Sequence, residues 1–133
     1  MANIVIDTSV IIAVIANEPE KPSIISLTSG ANLLAPASVP WEIGNAFSAM
    51  LKRKRITITQ AQQALKAYQQ ISIRFIDVEL SEALLLADQL GIYAYDAYIL
   101  RCALKFRYPV LTLDQGLSEA AKQAGVKILE VTQ

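Results

Sequence analysis

The sequence has no histidine and only one cysteine, Cys102. Without histidine, Ser-His-Asp and Cys-His catalysis are excluded, as is a His-rich zinc site. A lone cysteine cannot form an internal disulfide, which fits a reducing, cytoplasmic setting. No apolar run approaches the roughly 20 residues that a membrane helix requires. The N-terminus lacks the basic and apolar stretches of a secretory signal, because Asp7 interrupts it early. An excess of one charge is also missing. Twelve Lys and Arg balance twelve Asp and Glu, so bulk charge argues neither for nor against nucleic acid, and only local clustering can. No glycine-rich phosphate loop follows any apolar run, and there is no repeat, low-complexity tract or linker.

What is present is a globular composition, 53% hydrophobic and 18% charged over 133 residues, which predicts one domain spanning 1–133. A chain of this size buries about two-thirds of its unfolded surface. Short β-rich apolar runs (Asn3–Ile6, Asn32–Ala35, Ile73–Asp77, Pro109–Leu113 and Lys127–Val131) alternate with stretches of helical periodicity. The pattern predicts helices over Ser9–Ala16 and Lys21–Ser29, then one from an N-cap at Ser38 to Leu51 with Pro40 in its first turn. Further helices are expected over Gln60–Gln70 capped by Thr59, from Ser81 to Gly91, over Asp96–Phe106, and over Ser118–Ala124 ending at Gly125. Strands that are apolar on both faces and separated by helices predict an α/β fold with a parallel sheet covered on both sides. Ligands of such folds bind outside the carboxyl ends of the strands.

Asp7 stands at that position, closing the first apolar run in "NIVIDTSV". An ionised carboxylate there is costly without a partner. Asp114 closes the fourth run in "PVLTLD" in the same way. Glu42 lies in the first turns of its helix beside the apolar stripe, and Asp96 opens another helix among Tyr93, Tyr95 and Tyr98. Taken singly, each acid has a plain structural use. Asp7 and Asp96 suit helix caps, Glu42 suits a first-turn acid favoured by the helix dipole, and Asp114 suits a turn. Four such placements together are hard to explain as independent caps. Carboxylates gathered at one edge repel one another, and a hard divalent cation such as Mg²⁺ relieves that repulsion. Such a site can activate water and stabilise charge on a phosphate. Ser9 and Thr112 add hydroxyls able to donate to the acids or to a phosphate.

A receiver-like phosphoacceptor domain is a competing α/β reading, using Asp77, Thr112 and Lys127. It lacks the acid pair expected after the first strand and leaves Glu42 and Asp96 unexplained. A haloacid-dehalogenase phosphatase would need a second Asp two residues after Asp7, where Ser9 stands.

In chain order, "IVIDTSVI", "WEIGNAF", "YDAYIL" and "VLTLD" resemble the signature of the PIN-domain family, and the likeness covers essentially the whole chain. Within that family, a free-standing chain of this size is most similar to the toxin of VapBC-type toxin–antitoxin modules. Carried by these motifs, the resemblance implies a three-layer α/β/α fold with a central parallel five-stranded sheet, order 3-2-1-4-5. It also implies a Mg²⁺- or Mn²⁺-dependent endoribonuclease that hydrolyses RNA phosphodiester bonds. Its acidic quartet falls on Asp7, Glu42, Asp96 and Asp114. Asp7, Asp96 and Asp114 would hold the metal directly or through water, and Glu42 would be a ligand or would orient the nucleophile. Ser9 and Thr112 match the family's hydroxyl positions. A homodimer and a small antitoxin covering the acidic groove are implied too. A catalytically silent PIN-like RNA- or protein-binding module is the alternative, and the complete quartet argues against it.

Several features remain open at this level. "KRKR", Lys52 to Arg55, reads equally as solvated cations at a helix C-terminus or as an RNA backbone contact. Arg101 and Lys105 share a helix face expected to be wet. Trp41 and the three tyrosines near Asp96 suit base stacking or packing. Cys102 reads as a small buried hydrophobe. "VIDTSVIIAVIA" and the helix Glu42–Leu51 are either core or surface left for a partner.

Overall fold

Ile4, Val5 and Ile6 are all buried, so the strand they form needs cover on both faces and a neighbour on both edges. In the computed structural model, which describes residues 2–132, it has both. Along the chain come β1 (Asn3–Ile6), α1 (Thr8–Ile15), α2 (Lys21–Thr28), β2 (Asn32–Pro36), α3 (Val39–Lys52) and α4 (Ile58–Gln69). There follow β3 (Ile73–Ile76), α5 (Leu80–Leu90), α6 (Ala94–Phe106), β4 (Val110–Leu111), α7 (Gln115–Gln123) and β5 (Ile128–Leu129). The sheet order is β3-β2-β1-β4-β5, and every pairing is parallel. The architecture is three-layer α/β/α, as expected.

β1 sits in the middle, with Val5 opposite Leu34 on one side and Val110 on the other. On the helical layers, α1 packs against α2, α3 and α4, while α6 lies along β2, β1 and β4 with α5 beside it. Val10, Ile11, Ala13 and Ile15 of α1 are buried, as are Ile43 and Phe47 of α3. The apolar stretch around Asp7 is therefore core and not a free partner surface. Cys102 is fully buried, and burial pushes its thiol up to about 11. Among the described residues, no helix is long and apolar enough to cross a membrane.

Element boundaries differ from the sequence expectation where side chains find other partners. Thr57, not Thr59, caps α4: its hydroxyl accepts from Gln60 N–H at 3.1 Å while the Gln60 side chain accepts from Thr57 N–H at 2.9 Å. This reciprocal capping box starts the helix two residues early. Ser38 holds the cap position of α3 but makes no capping bond. α5 begins at Leu80 after Glu79, and α6 begins at Ala94, so Asp96 sits inside the first turn instead of opening the helix. α7 starts at Gln115 because Asp114 caps it. β4 stops at Leu111 because β1 offers it no partner beyond Ile6.

The receiver-like alternative does not survive this topology. Asp77 follows an edge strand, and Lys127 precedes β5 whereas Thr112 follows β4. Across parallel neighbours those two positions lie at opposite ends of the sheet.

Candidate active site

Strand register creates the first contact of the site. Ile6 of β1 pairs with Leu111 of β4, so the next residues, Asp7 and Thr112, leave the sheet side by side. Asp7 is only 7% exposed. Its Oδ2 accepts from Thr112 Oγ1 at 2.6 Å, and its Oδ1 accepts from Ser9 Oγ at 2.6 Å and from Val10 N–H at 3.3 Å. The two hydroxyl oxygens are 3.4 Å apart, but each has already given its one proton to the carboxylate. Each oxygen also accepts from the backbone: Ser9 Oγ from Leu113 N–H and Thr112 Oγ1 from Asp114 N–H, both at 3.0 Å. Both hydroxyls are thereby oriented, N–H to hydroxyl to carboxylate.

Asp114 caps α7, its Oδ1 accepting from Leu117 N–H at 3.0 Å. A Cβ on Gly116 would lie 3.2 Å from that oxygen, so the glycine keeps room for the carboxylate. Glu42, in the first turn of α3, accepts from Ser38 Oγ one turn back at 3.0 Å. The Thr8 hydroxyl is buried and favours the charged form of Glu42, although among the described residues it meets no partner at full hydrogen-bond geometry. Asp96 sits in the first turn of α6 and is half-buried.

The electrostatics tie the four acids together. Asp7 is repelled by Asp114, Glu42 by Asp7 and Asp96, and Asp96 by Asp114. These repulsions close a ring. Burial is the main cause that raises Asp7, Glu42 and Asp96 above the usual carboxylate range. Like-charge neighbours raise them further, while the hydroxyls of Ser9 and Thr112, and of Ser38, act in the opposite sense on Asp7 and Glu42.

Among the described residues, no three acidic, histidine or cysteine side chains are gathered closely enough to form a ready metal-ligand set. Asp7 has both oxygens engaged by protein donors. The oxygen-only donor set and the mutual repulsion fit a hard cation that keeps much of its water. They do not fit one stripped bare by three carboxylates.

The hydroxyls Ser9 and Thr112 fall at the site, and Lys52–Arg55 does not. That cluster is exposed at the far end of α3, about 15 Å along the helix from Glu42 at 1.5 Å per residue. Nor is the Arg101–Lys105 face simply wet. Arg101 Nε is buried with no hydrogen-bond partner among the described residues, and Lys105 pairs with Glu79 at 3.1 Å. Thr8, Ser38 and Gly116 were not legible as site residues. Only the i, i+4 spacing of Ser38 and Glu42 offered a signal.

A family model described as PIN domain matches residues 4–123. No curated protein matches the chain. Among solved structures, PAE2754 from Pyrobaculum aerophilum superposes with TM-score 0.71 at 22% identity, covering 96% of this chain and 83% of the other. VapBC2 from Rickettsia felis, bound to a DNA fragment from its promoter, gives 0.68 at 15% identity, covering 98% and 99%. The sarcin-ricin-loop-cleaving toxin VapC20 from Mycobacterium tuberculosis gives 0.62 at 16% identity, covering 88% and 94%. At such identities these likenesses speak for the fold alone, and the family match extends from β1 to the end of α7. The chain belongs to the PIN-domain family.

Proposed function

We propose that this PIN-domain chain is a divalent-cation-dependent endoribonuclease, the toxin half of a toxin–antitoxin pair. One observation carries the reading. Four acids from four separate segments stand in a closed ring of repulsion, at the sheet edge where parallel α/β folds take their ligands. Mg²⁺ or Mn²⁺, held by Asp7, Asp96, Asp114 and Glu42 directly or through water, would supply neutralising charge, an activated water and stabilisation of the phosphate transition state.

The chain's own groups then have distinct tasks. Ser9 and Thr112 hold Asp7 in one orientation and favour its ionised form. Glu42, raised by burial, is suited either to take a proton from the incoming water or to serve as a further ligand. The N-terminus of α6 presents its positive dipole end beside Asp96 and so favours a phosphate nearby.

The solved neighbours described as toxin–antitoxin complexes, among them one from Klebsiella pneumoniae, support a protein antitoxin as partner. Exposed apolar side chains on α2 (Ile25, Leu27) and α5 (Leu84, Leu85) support cover by the antitoxin and by a second copy in a cytoplasmic homodimer. The test is cleavage of total RNA by the purified chain with Mg²⁺ or Mn²⁺, with EDTA, and in the Asp7→Asn variant. Cleavage lost in both controls supports the reading. RNA bound but never cut by the wild type leaves the silent binding module instead.

A further inference from the structure

We propose that a cleft beside Glu42 receives one unpaired nucleobase next to the scissile phosphate and prefers guanine; this rests on the endoribonuclease reading. The cleft, about 170 Å³, opens at the carboxyl edge of the sheet. One wall is the β2–α3 junction, Pro36 to Ser38. The other is the β3–α5 junction, Ile76 to Val78 with Leu80, and Tyr98 of α6 completes the lining. Ser38 belongs to both places: it lines the cleft, and its hydroxyl donates to Glu42 at 3.0 Å. A group seated in the cleft is therefore one residue removed from the acid ring.

Size and wall chemistry select the occupant. The space is small beside the roughly 300–1,000 Å³ of sites for drug-sized ligands, which suits a single planar ring system and not a base pair. Its walls are mostly apolar, and Tyr98 presents an aromatic ring braced edge-on by Tyr95, centroids 5.8 Å apart at 78°. Such a surface holds a base by its face whatever its identity. A base that enters must be out of its helix, so the substrate is a single-stranded or loop segment.

Identity would be read by Asp77, the one acidic side chain of the lining among the described residues. Its backbone is tethered to α6. Lys105 Nζ donates to the Asp77 carbonyl at 3.3 Å and pairs with Glu79 at 3.1 Å. A carboxylate only accepts hydrogen bonds. On its Watson–Crick edge guanine offers two adjacent donors, N1–H and the 2-amino group, which match both carboxylate oxygens. Adenine and cytosine each place a single amino donor beside an acceptor. Uracil sets its one donor between two carbonyls, which Asp77 repels.

The test uses unstructured oligoribonucleotides of about ten residues that differ only in the bases flanking the cut, with cleavage ends mapped. Guanine is expected to be favoured about tenfold over the other bases on one side of the cut, and Asp77→Asn to bring that ratio to about one. A second readout needs no cleavage: anisotropy of labelled oligonucleotides on the Asp7→Asn protein. There Tyr98→Ala is expected to weaken binding severalfold, and Tyr98→Phe to restore it. No base preference in the wild type, or an unchanged preference in Asp77→Asn, overturns the proposal. So does a dimer that Leu80→Glu splits while the preference persists in Asp77→Asn, since the cleft then belongs to a subunit contact. Failure of the nuclease reading looks different: no RNA is cut at all, and anisotropy alone then decides the guanine preference.

Discussion

Thr112 donates to Asp7 at 2.6 Å across 105 positions of sequence, and the same hydroxyl oxygen accepts from Asp114 N–H at 3.0 Å. One side chain thus orients the acid of β1 and the backbone of the acid that follows β4. Thr112→Val keeps the shape and removes both bonds. It is expected to cost about 1–3 kcal/mol in urea unfolding, because a buried carboxylate loses a donor, and to lower RNA cleavage. Unchanged stability would mean that Asp7 is not held through this hydroxyl.

Asp7→Asn removes the charge and keeps the size. RNA cleavage is expected to vanish while the fold persists by circular dichroism. Full activity in the folded variant would sink the assignment of Asp7.

The pH dependence separates the same pair of proteins. Asp7, Glu42 and Asp96 are raised in the folded state. A raised carboxyl contributes stability that is fully present below its unfolded pKa, 3.8 for Asp7, and lost as pH climbs through the folded value. In EDTA the wild type should therefore lose stability relative to Asp7→Asn as pH rises from about 4 toward neutrality. Denaturant midpoints across that range measure the difference. A gap that stays constant would contradict the burial cost assigned to Asp7.

Mg²⁺ or Mn²⁺ should raise the melting temperature of the wild type at neutral pH. At a hundred times the dissociation constant the gain is about 2.7 kcal/mol. The double variant Asp7→Asn, Asp96→Asn should show little of it. A shift of equal size in both proteins would place the cation elsewhere.

Gly116→Ala sets stability and activity against each other. Alanine is the better helix former by up to about 1 kcal/mol, but its methyl would press on Asp114 Oδ1 from 3.2 Å. Stability is expected to hold or rise while cleavage falls. Thr57→Ala is the converse control, expected to cost about 1 kcal/mol through the lost capping box and to leave the cleavage rate alone.

The parallel sheet and most elements were legible because all-apolar strands such as Ile4–Ile6 leave few alternatives to burial on both faces. Starts of helices were less so. Thr57 and Thr59 are equally good caps on paper, and only the reach of Gln60 back to the Thr57 N–H chose between them. Asp7 and Asp114 were visible as acids at strand ends, and in the structure each also caps a helix. The structural and chemical readings of these two residues were never exclusive. Ser38 read only as a cap because nothing in a linear sequence says that its hydroxyl turns to Glu42 instead. The aromatics stayed ambiguous for the same reason. Tyr98 is half-buried in a cleft wall whereas Tyr93 is 89% exposed, and their spacing alone does not separate them.

β1 takes its two neighbours from opposite ends of the chain, β2 soon after it and β4 about a hundred residues later. Synthesis therefore delivers Asp7 about a hundred residues before Asp114. Until β4 docks, the first acid lacks Thr112, and the ring has only three members. A chain that stops short of β4 would consequently hold an incomplete set of acids, so that on the proposed reading cleavage awaits the docking of that strand.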